Sequence, residues 1–157
     1  MGRRLEVRPG IRFGVDVGSV RVGVARSDAS GSLAVPVATL RRGKGDLAAL
    51  VTLVAEYEPL EVLVGMPLSM SGQPGKAAAL ATRYAEALAA AIAPTPVLMV
   101  DERLSTVQAQ RGLHEAGRTT RQGRSVVDQA AAVIIVQHAL DAERATGEPL
   151  GTNVRTP

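Results

Sequence analysis

Three short stretches near the start of the chain, residues 11–17 (IRFGVDV), 20–26 (VRVGVAR) and 33–40 (LAVPVATL), are rich in valine and other strand formers. Gly-Ser and Asp-Ala-Ser-Gly turn material separates them, which predicts three consecutive strands joined by hairpins. From Asp46 to Tyr57 the spacing changes: Leu47, Leu50, Val51 and Val54 recur at helical intervals, with Asp46 placed to cap the helix N-terminus. Val62 to Gly65 is wholly apolar, as a strand buried on both faces is. Two prolines and two glycines make 66–75 a loop, and the alanine-rich stretch 76–92 reads as a helix. A second buried strand, 97–100, ends in the charged triplet Asp101-Glu102-Arg103.

Residues 105–116 read as helical, 117–124 as a basic polar loop, and 125–144 as a helix with an apolar face of alanine and β-branched residues. From Thr146 onward there is no periodicity, and a disordered tail over 146–157 is expected beyond a single domain of residues 1–145. The order β-β-β-α-β-α-β-α-α predicts an α/β fold. A mixed five-stranded sheet would combine an antiparallel hairpin meander with parallel strands joined by crossover helices, with helices on both faces.

Composition narrows the chemistry. The 157 residues contain no cysteine, which excludes a disulfide framework, a thiolate zinc site and a cysteine nucleophile. Phe13, Tyr57 and Tyr84 are the only aromatic residues, too few for a platform that stacks on single-stranded bases. The net charge is only +3, and 16 of the 18 basic residues are arginine, so the position of charge says more than its total. No apolar run approaches the roughly 18 residues of a membrane span, and the start MGRRLEVRPG leads into an Asp-bearing strand, not a signal peptide's apolar stretch. A cytoplasmic protein without membrane contact is expected.

Three acids stand out against this background. Alternation puts Phe13, Val15 and Val17 on one face of the first strand and Gly14, Asp16 and Gly18 on the other. The flanking glycines then clear space for a ligand beside Asp16, unless Asp16 serves only to start the turn at Gly18-Ser19. Asp101 and Glu102 end a buried parallel strand, where α/β sheets hold ligands, and alternation lets one of the two face Asp16; alternatively both acids favour the N-terminus of the next helix. Asp128 lies near the start of the last helix, where Ser125-x-x-Asp128 also resembles a capping box. Carboxylates that converge repel one another unless cations lie between them. Hard oxygen ligands of this kind suit Mg²⁺ or Mn²⁺, and a pair of ions would support in-line phosphodiester cleavage.

Basic residues cluster at Arg41-Arg42-Gly-Lys44 and at Arg118, Arg121 and Arg124, just before Asp128. Arginine grips phosphate oxygens in bidentate fashion without reading bases. His114 and His138 stand 24 residues apart with no spaced partner, and neither is expected to be a ligand.

Four segments, DVGSVRVGVARSD (16–28), VGMPLSMSGQPG (64–75), DERLSTVQA (101–109) and VDQAAAVIIVQHAL (127–140), resemble in the same order the motifs of the YqgF/RuvX family. The resemblance covers most of the chain. It implies an RNase H-like fold related to the RuvC Holliday junction resolvase and a metal-dependent nuclease that matures the 5′ end of the small-subunit ribosomal RNA precursor, with a junction resolvase acting on branched DNA as the alternative. It also implies Asp16, Glu102 and Asp128 as the catalytic acids and ligands of Mg²⁺ or Mn²⁺, two ions in all. Arg21, Arg103, Ser105, Thr106 and the arginines at 118, 121 and 124 would contact a structured RNA, the protein acting as monomer or homodimer. Met66 and Ser105 depart from the family's usual Leu and Thr, leaving the acidic set intact. Two rival readings remain: a phosphate loop of actin-like ATPases, for which one domain is too few, and a non-catalytic RNA- or ribosome-binding module.

Overall fold

The computed structural model describes residues 7–67, 75–101 and 121–154, and for 121–128 the backbone only. The first three strands form where alternation places them: β1 (Arg12–Val17), β2 (Arg21–Ser27) and β3 (Ala34–Arg41). Helix α1 (Asp46–Tyr57) leads to β4 (Glu61–Met66), and α2 (Lys76–Ile92) to β5 (Val97–Asp101). A long helix, α3 (Arg121–Thr146), and a short β6 (Thr152–Asn153) complete the described chain. The sheet order is β3-β2-β1-β4-β5-β6. β1 pairs with β2 antiparallel and with β4 parallel, and β4 pairs with β5 parallel, as the crossover argument requires.

Period-2 alternation sorts the sheet residues into two cores. Phe13, Val15, Val17, Val22, Val24, Val62, Val64 and Val97 pack with α1 and α2, whose contribution includes Leu50, Val54, Ala81, Ala85 and Leu88. On the other face Leu63, Leu98 and Val100 meet Ala131, Ile135 and Ala139 of α3, while Ala25 and Ala34 meet Ala132, Val136 and Leu140. With both faces covered, all six residues of β1 are buried, which is why its neighbours could read as unbroken apolar runs.

Four differences from the sequence expectation have physical reasons. The sheet has six strands instead of five, because Thr152 and Asn153 pair antiparallel with Met99 and Leu98, and Val154 N–H donates to the Val97 carbonyl at 2.8 Å. That part of the expected disordered tail is held by main-chain hydrogen bonds, which need no apolar periodicity. Positions 121–124 of the expected basic loop belong to the last helix; arginine and glutamine are good helix formers. Asp46 is the first helical residue of α1 with Gly45 in the capping position, and no side chain caps that end. Instead Asp46 Oδ1 accepts from the Leu47 N–H at 2.8 Å and Oδ2 lies 2.9 Å from Arg42 Nε. Finally, Gly14 does not keep space open for a ligand: a Cβ there would lie 2.4 Å from Val136 Cγ2 and 2.7 Å from the Ala132 carbonyl oxygen, so the glycine admits α3.

The end of the sheet where β1 begins is tied by ions. Arg8 Nη2 donates to Glu61 Oε1 at 2.6 Å and to Glu143 Oε1 at 2.7 Å, and Arg12 Nη2 donates to Glu143 Oε2 at 2.9 Å. Arg12, Glu61 and Glu143 are each at most 3% exposed. Burial on its own would raise the Glu143 carboxyl, but hydrogen bonds from Arg8 and the charges of Arg12 and Arg8 outweigh it and hold the group below its ordinary range. Burial lowers the Arg12 guanidinium from its usual value, against the pull of Glu143 and Glu61. This network fixes the C-terminal half of α3 to β1 and β4 and thereby sets how the rest of the helix lies across the sheet.

Candidate active site

Asp16 sits next to last in the central strand and is 3% exposed. Its parity puts it on the α3 face with Gly14. α3 runs antiparallel to β1: Glu143 is bonded to Arg12, and Ala132 and Val136 lie over Gly14. From Gly14 to Asp16 the strand advances about 6.8 Å, and from Ala132 back to position 128 the helix advances about 6 Å. The helical backbone at 128 is therefore level with Asp16. A side-chain bond pins this alignment: Gln129 Nε2 donates to Thr39 Oγ1 at 2.8 Å. Thr39 pairs with Gly23, and Gly23 with Asp16, so Gln129 is tied to the same row of the sheet.

The parallel strands β1, β4 and β5 end on the same side of the sheet. On β5 the two cores define parity: Leu98 and Val100 face α3, whereas Val97 and Met99 pack with α1 and α2. Half-buried Asp101, paired in register with Met66, thus belongs by parity to the α1 and α2 side, opposite to Asp16. Glu102, Arg103, Ser105, Thr106 and Arg118 lie outside the described residues, as do the side chains of Arg121, Arg124 and Asp128. Among the described residues no group of three His, Cys, Asp or Glu side chains could hold a metal.

Beyond Asp16 the chain turns tightly. The Gly18 N–H donates to the Arg21 carbonyl at 2.8 Å, and a Cβ at Gly18 would meet that same oxygen at 2.8 Å, so only glycine fits. Arg21 opens β2, half-buried and directly opposite Arg41. Arg42 closes the turn from behind: its N–H donates to the Val20 carbonyl at 2.8 Å, and its Nη1 donates to the Gly18 carbonyl at 3.2 Å. Its guanidinium also lies 5.1 Å from the centre of the Tyr84 ring. Burial, with the nearby Asp46 charge, pushes the Tyr84 hydroxyl up to about 12.

Sequence reading missed the Arg42, Asp46 and Tyr84 group, although the i, i+4 spacing of Arg42 and Asp46 was a signal for it. It also missed the bond between Thr39 and Gln129, which join 90 residues apart and leave no local trace.

The arrangement has known counterparts. A family profile described as the RuvX Holliday junction resolvase matches residues 10–142. A protein of Nocardioides sp. described as a candidate pre-16S rRNA nuclease is 55% identical over 92% of this chain and 96% of its own length. Proteins similarly described from Thermobifida fusca and Streptomyces coelicolor are 51% identical over 92% of the chain and 52% identical over 94%, covering 96% and 90% of those proteins. Among solved structures, RuvC of Thermus thermophilus in complex with a Holliday junction substrate is 15% identical, with a TM-score of 0.53 over 90% of this chain and 99% of that one. A second RuvC structure from the same organism has a TM-score of 0.52, at 15% identity over 89% of this chain and 99% of that one. These likenesses give the fold as RNase H-like, and with the family profile spanning most of the sheet and α3, the chain belongs to the RuvX family.

Proposed function

We propose that this protein is a divalent-metal-dependent nuclease that hydrolyses phosphodiester bonds in the 5′-end maturation of the small-subunit ribosomal RNA precursor. The observation that carries the reading is a buried carboxylate, Asp16, at the end of the central strand and level with the helical position of Asp128. The relatives described as pre-16S rRNA nucleases supply the substrate. Asp101 has the parity of Val97 and Met99, away from the Asp16 face, which supports reading Glu102 as the third acid.

Three carboxylates in a cysteine-free chain are an all-oxygen donor set that fits Mg²⁺ or Mn²⁺. Bound there, such ions, as a pair, would lower the pKa of water and stabilise charge on the leaving oxygen. Asp16, Glu102 and Asp128 would hold them and so fix where the attacking water stands in line with the bond to be broken. Asp16 suits this role because its strand is buried on both faces and is flanked by paired strands, so its position is fixed before substrate arrives. Arg21, Arg103, Ser105, Thr106, Arg118, Arg121 and Arg124 would hold phosphate oxygens around the site and fix the register of the strand being cut. The described residues include no helix long and apolar enough to cross a membrane.

The test is to incubate the protein in parallel with a precursor ribosomal RNA fragment and with a four-way DNA junction, each with Mg²⁺, with Mn²⁺ and with chelator. Metal-dependent cleavage of the RNA at its mature 5′ end is expected. Cleavage of the junction alone would make the protein a resolvase, and salt-dependent binding of both without cleavage would make it a binding module.

A further inference from the structure

The β1–β2 turn and the end of β3 carry a charge arrangement that folding alone does not explain. On β2, Ala25 packs toward α3 while Val22 and Val24 pack toward α1 and α2, so alternation puts Arg21 on the α3 face, the face of Asp16. Arg21 pairs directly with Arg41, and the adjacent row on the same face is Asp16, Gly23 and Thr39. Two arginines thus stand side by side, one strand repeat of about 6.8 Å beyond the row of Asp16. Like charges placed directly opposite in an antiparallel pair are unfavourable. Among the described residues no ion pair includes Arg21, Arg41 or Lys44.

The neighbouring Arg42 shows the contrast. It is engaged from three sides by Asp46, the Gly18 carbonyl and the Tyr84 ring. The Arg-Arg pair in the sequence therefore divides its work, Arg42 inward as an anchor and Arg41 outward and exposed. Lys44 follows, also exposed, between Gly43 and Gly45, and a Cβ on either glycine would meet nothing within 4 Å. A polyanion can reach the backbone here.

We infer that Arg21 and Arg41 form a clamp for a nucleic-acid phosphate flanking the one that is cleaved, with Lys44 extending the track along the β3–α1 turn. The inference rests on the nuclease reading and adds to it a contact, Arg41, on the outer strand of the sheet. A shared phosphate offers oxygens to both guanidinium forks and removes the repulsion between them, and a phosphate backbone running from Asp16 across β2 to β3 meets these groups in order.

The experiment measures binding of a labelled single-stranded RNA oligonucleotide by fluorescence anisotropy over a salt series, in an Asp16→Asn background so that no cleavage interferes. Arg41→Ala is expected to weaken binding and to reduce the slope of log affinity against log salt by about 0.7, the value for one phosphate contact on a single strand. Arg41→Lys should keep the slope, and Arg83→Ala, an exposed arginine on α2 across the sheet, should leave it unchanged. Without RNA, Arg41→Ala should melt no lower than its parent, since a repulsion has been relieved. An unchanged slope in Arg41→Ala, or an equal loss in Arg83→Ala, overturns the clamp while metal-dependent cleavage by the unmutated protein leaves the nuclease reading standing. RNA binding that follows the expected pattern in a protein that never cleaves would sink the nuclease reading and keep the clamp. A protein without salt-dependent RNA binding loses both.

Discussion

Gly14 and Asp16 are two residues apart on one strand face, and different requirements act on them. Gly14 is where α3 comes closest to the sheet. Gly14→Ala is expected to cost roughly 1–3 kcal/mol by overpacking, because the Ala132 backbone oxygen at 2.7 Å from the new Cβ has no rotamer through which to move away. Chemical denaturation of the variant measures this. Glu143 makes a second prediction at this scale. Its folded value is depressed, so the stability it contributes is present above its ordinary value of 4.5 and is lost as pH falls through the folded value. Glu143→Gln should destabilise by on the order of 3 kcal/mol near neutral pH, since it leaves Arg12 buried with its main partner gone, and should flatten the acid limb of the stability curve. A variant as acid-sensitive as its parent would show that other carboxylates dominate. The sequence showed that Asp16 was unusual, a carboxylate in an apolar strand. It also suggested that the flanking glycines make room for a ligand, and for Gly14 the structure corrects this: the space is filled by a helix.

At the scale of elements, the anchoring of α3 and of the β1–β2 turn sets the surroundings of Asp16. α3 is fixed at one end by the Arg8, Arg12, Glu61 and Glu143 network and near the other by Gln129 on Thr39. The turn is fixed by Arg42, whose removal should release the Gly18 carbonyl and strand Asp46, 8% exposed, without its cation. Arg42→Ala is expected to lose about 1–3 kcal/mol, read by thermal or denaturant unfolding, whereas Arg41→Ala one residue earlier should lose almost nothing. Elements with a clear period were legible in the sequence: the strands at 11–17 and 20–26 and the helix at 76–92 follow from alternation and from 3.6-residue spacing. What was not legible depends on partners far along the chain. The Thr152–Asn153 strand exists because β5 offers an open edge, and the ion network joins residues 131 and 135 apart. The parity of Asp101 likewise needed the two cores, which show that it shares a face with Val97 and Met99; within the triplet itself nothing gives it.

For the whole molecule, the fold brings the ends of three parallel strands and the early turns of α3 to one end of the sheet. The opposite end is bound by buried ions. On the proposed function, substitutions in the ion network should therefore lower unfolding stability while leaving the metal dependence of cleavage intact. The absence of cysteine and the scarcity of aromatics, first useful for exclusion, are consistent with an oxygen-donor site and a protein that holds backbone instead of bases. If Asp16 belongs to a metal-dependent phosphodiesterase centre, cleavage of a precursor ribosomal RNA fragment must depend on it, which is measured by comparing the unmutated protein and Asp16→Asn, each with Mn²⁺ and with chelator. Asp16→Asn is expected to fold with an unchanged circular dichroism spectrum, to bind the RNA, and to cleave no faster with Mn²⁺ than the unmutated protein does in chelator. Undiminished Mn²⁺-dependent cleavage by Asp16→Asn would show that Asp16 is no part of the centre.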